Sequence, residues 1–518
     1  MAMKMTRNAA GRMVPDQING KETIPFKGIG KHRPEGRKYA PPIPTCIDYP
    51  DDNNKVVSSI REALERCGLK DGMTISTHHH LRDGDLVNNQ VFAIASEMGI
   101  SDLVWLPSAS FPCNAPVIEY LENGTINHIE GSMNGPLGRF VSEGRMKGTA
   151  VLRSHGGRVQ AIQDGEVKID IAVLTAPAAD SFGNARGTGG PSATGVLGYA
   201  KADYLYADRV ILVTDNLVDL PCFPMEIEGN YVDYVVVVDK LGIPEKIVSG
   251  TTQITKSPDR LLIAELTATF LEKSGLLYDG ATMQAGAGGT SLAIAVFVHE
   301  MLRRKGWKLS FGFGGSTKYM VRMLEEGQMG YILDAQAFDL EAVRSVEENM
   351  NHIPYSVFNA YNYHSKGNLT TMMDIMILGA TEIDTGFNGN VVTHSDGLLL
   401  HGIGGWQNCL HARNVILPVP LFRDRIPVIV DSVTTLCGPG ELIDVIITER
   451  GIAINPRRQD LLDSVKGKGL PLVTIEELKE TAEKICGKPE KAIFDERVVA
   501  AIKWVDGTVL DAVHKIKS

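Results

Sequence analysis

The feature that most constrains the fold of this chain is an internal repeat, in which short patterns recur in the same order about 210 residues apart. A helical apolar pattern at 53–68 leads through Asp71-Gly72 into a short apolar run, and the pattern at 258–275 leads through Asp279-Gly280 into another. Three further pairs follow: FGNA (182–185) with NGNV (388–391), GTGG (187–190) with GIGG (402–405), and RVILV (209–213) with NVILP (414–418). Ordered pairs at nearly one offset predict two copies of one domain.

Within each copy, short apolar runs alternate with helical segments. KIDIAVLTAP, RVILVTD and DYVVVVD have the composition of buried strands, whereas LVNNQVFAIASEMG and TSLAIAVFVHEMLRRKG have helical spacing. This alternation predicts an α/β fold with largely parallel sheets and right-handed crossovers. A chain of 518 residues is longer than the about 250–300 residues that one hydrophobic core usually serves. We therefore expect tandem domains at 51–257 and 258–518, divided between about 245 and 265. Ligands should then lie at the carboxyl ends of the strands.

The N-terminal residues 1–50 are expected to form a basic arm. Residues 1–40 hold nine Lys or Arg against three Asp or Glu, and this segment is too polar to build a core of its own. Such an arm either lies on a partner or on the next domain, attracted by the acidic body, or it is a loose tail.

Composition argues against several classes of function. The net charge of −10 argues against a general nucleic-acid surface. No uninterrupted apolar stretch reaches the about 20 residues that span a bilayer, and the N-terminus lacks the apolar segment of a secretory signal. The seven cysteines show no CxxC spacing, which is typical of reduced thiols in a cytoplasm.

Four Gly-x-Gly-Gly segments are the first candidates for a ligand site, at 187–190, 286–289, 312–315 and 402–405. They do not fit a dinucleotide fingerprint, because Ser291 stands where the third glycine of GAGGTS would be and no acidic residue follows at the required distance. The Lys-Ser or Lys-Thr pair of a P-loop is missing too. AGAGG opens a predicted helix, so its amides would favour an anion or a developing oxyanion. Tight turns between strands and helices are the alternative interpretation.

Histidines form a second group of candidates. THHHLRDGD (77–85) would place His78 and His80 on one side of a strand, where with Arg82 they suit a polycarboxylate better than a metal. HSD at 394–396 is not a nucleophile elbow, because G-x-S-x-G is missing. No cysteine has an obvious histidine partner in the sequence, so a thiol nucleophile is not supported.

These segments resemble a known family. AGAGG at the start of a helix, GIGG later in the same copy and the whole stretch 380–408 are similar to the CoA-transferase superfamily. THHHLRDGDLVNNQ, GSMNGPLG, LTAPAADSFGNARG and GFGGST extend the resemblance over nearly the whole chain, to the α subunits of citrate lyase. The fold implied is two tandem CoA-transferase-like domains.

The resemblance implies that a carrier thiol passes from an acetyl thioester to citrate, giving citryl thioester and acetate. The thioester would be acetyl-CoA or the CoA-derived group of an acetyl carrier protein, the γ subunit. A lyase β subunit would complete a homo- or hetero-oligomer in the cytoplasm, and no metal is expected in this step.

One departure from the family bears on mechanism. Many CoA-transferases form a thioester on a glutamate, and Lys318 stands where that glutamate would be, with no Glu between Glu300 and Glu325. The resemblance then implies direct attack of the acid on the thioester through a mixed anhydride. The expected catalytic residues are Ala287, Gly288, Gly404, Gly405 and Lys318. The expected binding residues are Gly286, Gly289, Gly402, His401, His394, Arg186, His78 and His80.

Three alternatives stay open. One is a stand-alone CoA-transferase for another small acid such as citramalate. Another is a sugar-phosphate isomerase of the same fold type, for which the sequence offers no clear acid–base pair. The last is a non-catalytic scaffold subunit.

Overall fold

A computed structural model describes residues 3–34, 54–78, 80–247, 253–286, 288–363, 365, 367–490 and 492–517. Two large sheets dominate this part of the chain, one in each half. Across the first sheet, whose neighbours are all parallel, the strands are Val56–Val57, Tyr234–Val237, Arg209–Thr214, Ile171–Thr175, Thr74–Thr77, Leu103–Pro107 and Ile126–Ile129. Across the second they are Gly451–Ile454, Val445–Thr448, Val415–Pro418, Ile375–Ile377, Met283–Ala285, Leu309–Ser316, Met329–Ala337 and His352–Pro354, with the first pair antiparallel.

The two sheets repeat one topology. Six strands of the described first half have counterparts in the second, in the same chain order and the same spatial order. Arg209–Thr214 and Val415–Pro418 occupy equivalent places, as the RVILV and NVILP pair predicted. Thr74–Thr77 and Met283–Ala285 are equivalent as well. The expected α/β fold with two tandem, largely parallel sheets is therefore confirmed.

A hydrogen-bonded turn repeats between the halves in atomic detail. Asp180 accepts hydrogen bonds from the amides of Phe182 and Asn184 and from the Asn184 side chain. Asp384 accepts the same three from Gly386 and Asn388. The equivalent stretches are therefore DSFGN (180–184) and DTGFN (384–388), in which an aspartate and an asparagine four residues later build the turn. The predicted pair of FGNA (182–185) with NGNV (388–391) was two residues out of register, because Asn184 corresponds to Asn388.

Helices cover both faces of the sheets. In the first half they are Ile60–Arg66, Val87–Glu97, Val117–Glu122, Pro136–Ser142, His155–Asp164 and Ala200–Tyr206. In the second they are Pro258–Ser274, Gly289–Lys305, Lys318–Glu325, Leu340–Glu348, Val357–Tyr361, Trp406–Cys409, Gln459–Val465 and Ile475–Cys486. Ser59 caps the first helix through its side chain, and left-handed Gly275 and Gly306 end the two longest. A serine N-cap and a left-handed glycine after the last turn are local signals for the start and the end of a helix.

The N-terminal segment lies on the protein itself over its described part, 3–34. Its hairpin of Met5–Arg7 and Met13–Pro15 contacts a C-terminal hairpin of Phe494–Lys503 and Val509–Ile516. The Asn8 side chain donates to the carbonyls of Val509 (3.1 Å) and Leu510 (2.8 Å). The rest of the predicted arm, 35–50, lies outside the described residues.

The C-terminal hairpin crosses to the first half of the chain. Phe494–Lys503 pairs in parallel with Ala150–Leu152. One hydrophobic core also continues between the halves, from Trp105 and Phe140 of the first half to Phe313 and Trp406 of the second. Residues 248–252, inside the predicted boundary, lie outside the described part, and the bounds 51–257 and 258–518 stay a prediction.

Candidate active site between two glycine loops

The AGAGG segment opens a long helix at the carboxyl end of a strand. Met283–Ala285 leads into Gly286, and Gly288 is the N-cap of Gly289–Lys305. Within the described chain, the amides of Gly288 and Gly289 donate no hydrogen bond, as expected for a first helical turn. Ala287 lies outside the described residues.

The glycines of this segment differ in what surrounds them. A side chain at Gly289 would meet the Gln253 carbonyl at 2.8 Å, and one at Gly286 would approach the Ser291 hydroxyl at 3.4 Å. At Gly288 a methyl group would have no atom within 4 Å, so this backbone faces open space. Gly288 is thus the position that a ligand can approach.

The GIGG segment lies where the second half meets the first. A methyl group at Gly402 would collide with Ser132 at 1.7 Å, and one at Gly405 would meet the Tyr361 hydroxyl at 2.9 Å. Gly404 has a left-handed φ of +62°, and a methyl group there would have His155 Nε2, 3.9 Å away, as its nearest neighbour. The Gly404 carbonyl accepts a hydrogen bond from the His155 amide (2.8 Å), which fixes the loop against the first half.

The two glycine segments converge on one cleft of about 740 Å³. Gly288 lines it from one side, and His401, Ile403 and Trp406 line it from the other. Apolar side chains supply most of the remaining wall: Val391, Leu398, Leu400, Ile426 and Val428. A cleft of this size and lining suits a flexible chain with few charges, approached by backbone amides.

Three basic side chains line this cleft: His401, Arg423 and His394. Nδ1 of His401 donates to the Gly402 carbonyl (2.8 Å), so Nε2 is left as an acceptor. Burial lowers the pKa of His401 more than that hydrogen bond raises it, so the ring is neutral at pH 7. Arg423 donates to the carbonyls of Ala380 (2.7 Å) and Thr381 (3.0 Å), and no carboxylate of the described chain pairs with it. His394 is exposed at the same cleft.

A polar cluster lies behind the GIGG loop, between the halves. The Tyr199 hydroxyl is 3.2 Å from His155 Nε2 and 3.3 Å from the side-chain oxygen of Gln336. The ring of His80 is 5.8 Å from that of Tyr199. Burial lowers the pKa of His155 to about 3, so this imidazole is neutral too. The cluster brings three residues of the first half to Gln336 of the second.

His78 belongs to a buried ion-pair network. Arg158 donates to both oxygens of Asp203 at 2.7 and 2.8 Å, and Ser76 donates to the same carboxylate. His78 Nε2 lies 3.2 Å from Asp203 and its ring stacks on His80 at 5.5 Å. The two histidines share one side, as predicted, but His78 supports the fold whereas His80 faces the cluster.

Four predicted site side chains do not line the cleft: Lys318, Arg186, His78 and His80. Lys318 begins its helix with an exposed side chain over the Tyr319 ring (5.4 Å), and its amide donates to Asp339. Arg186 donates to the Phe223 carbonyl (2.8 Å) and lines no part of the cleft. His78 is in the network described above. Their assigned roles stay predictions.

Two of the four glycine segments serve packing. GFGG (312–315) is not a loop but part of the strand Leu309–Ser316, and a side chain at Gly315 would meet Phe338 at 1.8 Å. Gly190 of GTGG lies against the Pro177 carbonyl. The expectation that all four segments are loops at strand ends was wrong for 312–315, because the strand extends through the glycines and Phe338 needs the space.

Arg423, His155 and Tyr199 were missed in the sequence. They stand in ordinary contexts, without a motif, and their importance comes from contacts between distant segments. Among the described residues, no group of three or more His, Cys, Asp or Glu is arranged to hold a metal ion. None of the helices in the described ranges has the length and apolar character needed to cross a membrane.

The sequence was compared with family models and with known proteins. The family model for "Citrate lyase, alpha subunit (CitF)" matches residues 53–516. The chain is 43% identical to the citrate lyase alpha chain of Klebsiella pneumoniae over 466 residues, covering 90% of this chain and 92% of that one. It is 41% identical to that of Haemophilus influenzae over 467 residues, with 90% and 93% covered.

Solved structures agree on the fold. The α subunit of citrate lyase from Streptococcus mutans, in complex with citrate, superposes with a TM-score of 0.93 at 40% identity, covering 99% of this chain and 100% of that one. A malonate decarboxylase α subunit from Acinetobacter baumannii shares the fold alone, with a TM-score of 0.62 at 15% identity, over 84% and 93% of the two chains. Because the family model and these relatives cover almost all of the sequence, the chain belongs to the family of citrate lyase α subunits.

Proposed function

We propose that this protein is a CoA-transferase that moves a carrier thiol from an acetyl thioester to citrate, giving citryl thioester and acetate. The observation that carries the proposal is the convergence of Gly288 and the 401–406 segment on one apolar cleft. Family membership supplies the reaction class, and the citrate in the Streptococcus mutans relative supports the acid.

The cleft suits the arm of a CoA-type thioester. Its apolar wall would pack against the methylene and amide groups of the arm, and Arg423 offers a cation for the phosphate at its end. Gly288 lines the cleft, and Gly404 stands between the lining residues Ile403 and Trp406. Neither amide has a protein acceptor in the described chain, so both would bind the oxyanion on the reacting carbon. Each such donor lowers a barrier of this kind by roughly 2.7–4 kcal/mol.

We propose direct transfer without a covalent enzyme intermediate. A citrate carboxylate oxygen attacks the acetyl carbonyl carbon, the C–S bond breaks, and thiolate and a mixed anhydride result. The thiolate then attacks the citryl carbonyl carbon, the C–O bond breaks, and acetate leaves. Holding both fragments in one site removes the entropic cost of a second encounter.

The positions of the acidic side chains support transfer without an enzyme carboxylate as the nucleophile. Among the described residues that line it, Asp396 and Asp424 are the carboxylates, and both are exposed at its rim. The resemblance to CoA-transferases implies that Lys318 stands where many of them carry a glutamate. Direct transfer assigns neither of these exposed carboxylates to attack on the thioester.

The biological setting follows from the family. We propose that the thioester is carried by acetyl-CoA or by a carrier-protein γ subunit with a CoA-derived group, and that a lyase β subunit cleaves the citryl product. The complex would work in the cytoplasm, and the transfer step would need no metal, so a chelator should leave its rate unchanged.

The test is an acid panel with the purified chain and acetyl-CoA. Citrate, citramalate and acetate are compared as acceptors, and the thioester products are separated and weighed by mass spectrometry. A higher kcat/KM for citrate than for citramalate supports the proposal. A preference for citramalate favours the stand-alone transferase, and no thioester exchange with any acid favours the scaffold alternative.

A further inference from the structure

Arg82 differs from the buried arginines of this protein in its partners. Arg153 and Arg158, 8% and 6% exposed, are each paired with carboxylates: Arg153 with Glu130 and Glu166, and Arg158 with Asp203. No carboxylate of the described chain lies within ion-pair distance of Arg82, and its Nε is buried without a hydrogen bond. Burial lowers the pKa of Arg82 to about 10, which means that burying this cation without a carboxylate costs free energy.

The guanidinium is fixed between the halves by two aromatic rings. Its central carbon lies 5.0 Å from the ring centre of Phe111, in the first half, and 4.7 Å from that of Phe338, in the second. The faces of aromatic rings attract a cation but do not take up its N–H donors. The stacking fixes the orientation of the planar guanidinium group and leaves its N–H donors available to a carboxylate.

A second unsatisfied group lies on the same turn. His80 is 2% exposed, and neither of its ring nitrogens has a hydrogen-bond partner in the described chain. Both residues follow the strand Thr74–Thr77, and Tyr199 lies near both: its ring is 5.8 Å from that of His80, and burial raises the pKa of its hydroxyl whereas the Arg82 cation lowers it to a smaller extent. Buried polar groups are nearly always satisfied, so two such side chains together point to an anionic ligand.

The position relative to the glycine loops fits an acid substrate. Tyr199 is hydrogen-bonded to His155 (3.2 Å), and the His155 amide holds the Gly404 carbonyl (2.8 Å). Two residues, Tyr199 and His155, thus connect the Arg82 and His80 side chains to Gly404. If one carboxylate of a polycarboxylate reacts at the glycine loop, its other carboxylates must be bound nearby, within reach of Arg82 and His80.

We propose that Arg82, with His80, binds a carboxylate of the acid substrate that does not react, and so selects a polycarboxylate over a monocarboxylate. This inference rests on the proposed function for the identity of the acid. Because Phe111 and Phe338 come from different halves, this binding position lies where the halves meet.

The experiment measures direct binding to the full chain by calorimetry, with citrate and CoA as separate probes. Replacing Arg82 by Gln removes charge-assisted hydrogen bonds, so we expect citrate to bind about ten- to a hundredfold more weakly. CoA should bind as in the wild type. Arg82→Lys keeps the charge but loses the planar fork, so a smaller loss is expected.

Arg423→Gln is the matched control, since Arg423 also lacks a carboxylate partner in the described chain but lies in the glycine-loop cleft. It should weaken CoA and spare citrate. The inference is wrong if folded Arg82→Gln keeps wild-type citrate affinity, if it weakens both probes equally, or if the wild type binds no citrate. If Arg82→Gln does not fold, wild-type citrate affinity in Arg82→Lys overturns it.

Failure of the proposed function would look different. A wild type that binds citrate through Arg82 but forms no citryl thioester refutes the transfer and leaves the binding site standing. In a functional enzyme, Arg82→Gln should also lower the ratio of kcat/KM for citrate to that for acetate. A purely structural arginine would leave that ratio unchanged.

Discussion

Replacing Gly404 by Ala should abolish most of the transfer activity at little cost to the fold. At φ +62° a side chain costs about 1–2 kcal/mol, because an L-residue strains in the left-handed region. The added methyl group itself fits, since its nearest neighbour, His155 Nε2, is 3.9 Å away. It would, however, hold the thioester carbonyl off the loop amides, and the loss of one oxyanion donor lowers kcat roughly 10²–10³-fold.

Gly306 provides the matched control for Gly404. It has φ +66°, ends the helix Gly289–Lys305, and has nothing within 4 Å of an added methyl group. Gly306→Ala should therefore show a similar loss of stability in urea unfolding with normal citryl-thioester formation. Wild-type turnover in folded Gly404→Ala, or an equal loss of activity in Gly306→Ala, would refute the reasoning.

Three further sets of changes test the buried ion-pair network of Asp203, the charge of the buried Glu226 and the role of Lys318. Asp203→Asn leaves Arg158 without its carboxylate, so we expect roughly 3–5 kcal/mol less stability in urea unfolding, and an unchanged midpoint would contradict this. Burial raises the pKa of Glu226 from 4.5 to about 7, so this group's stabilising contribution is full below about pH 4.5 and is lost as the pH rises through about 7. Glu226→Gln should flatten the fall in thermal stability between these values, and identical pH profiles would count against it. Because the side chain is exposed, Lys318→Ala should raise the KM for citrate by less than about fivefold, and Lys318→Glu should raise it more; no change in either variant would remove Lys318 from the site.

Local patterns in the sequence predicted much of the fold. The helix predicted at 258–275 extends over Pro258–Ser274, because its apolar spacing and its terminal Gly275 are local signals. The FGNA and NGNV pair pointed to the repeated turns of Asp180 and Asp384, although its alignment was two residues out of register. Signals of this kind depend on neighbours within a few residues, which a single sequence displays.

The site was only partly predictable. The place of 286–289 at the carboxyl end of Met283–Ala285 follows from the predicted strand, turn and helix. The segment 402–405 directly follows no strand of that sheet, so its approach to the same cleft could not be predicted in this way. Phe338 on Arg82, the Arg423 cation in the cleft and the crossing of Phe494–Lys503 to the first half could not be predicted. Each depends on a tertiary contact between distant segments, which periodicity does not encode.

The most direct test of the account is the intact mass of the protein during turnover. The chain is mixed with acetyl-CoA and citrate, quenched in acid within the turnover time, and weighed, while the supernatant is assayed for citryl thioester and acetate. Direct transfer through an anhydride predicts unmodified protein at every time, with both products accumulating. A CoA or acyl adduct on an Asp or Glu, formed and lost at the turnover rate, would contradict it and show that the enzyme itself carries the activated group.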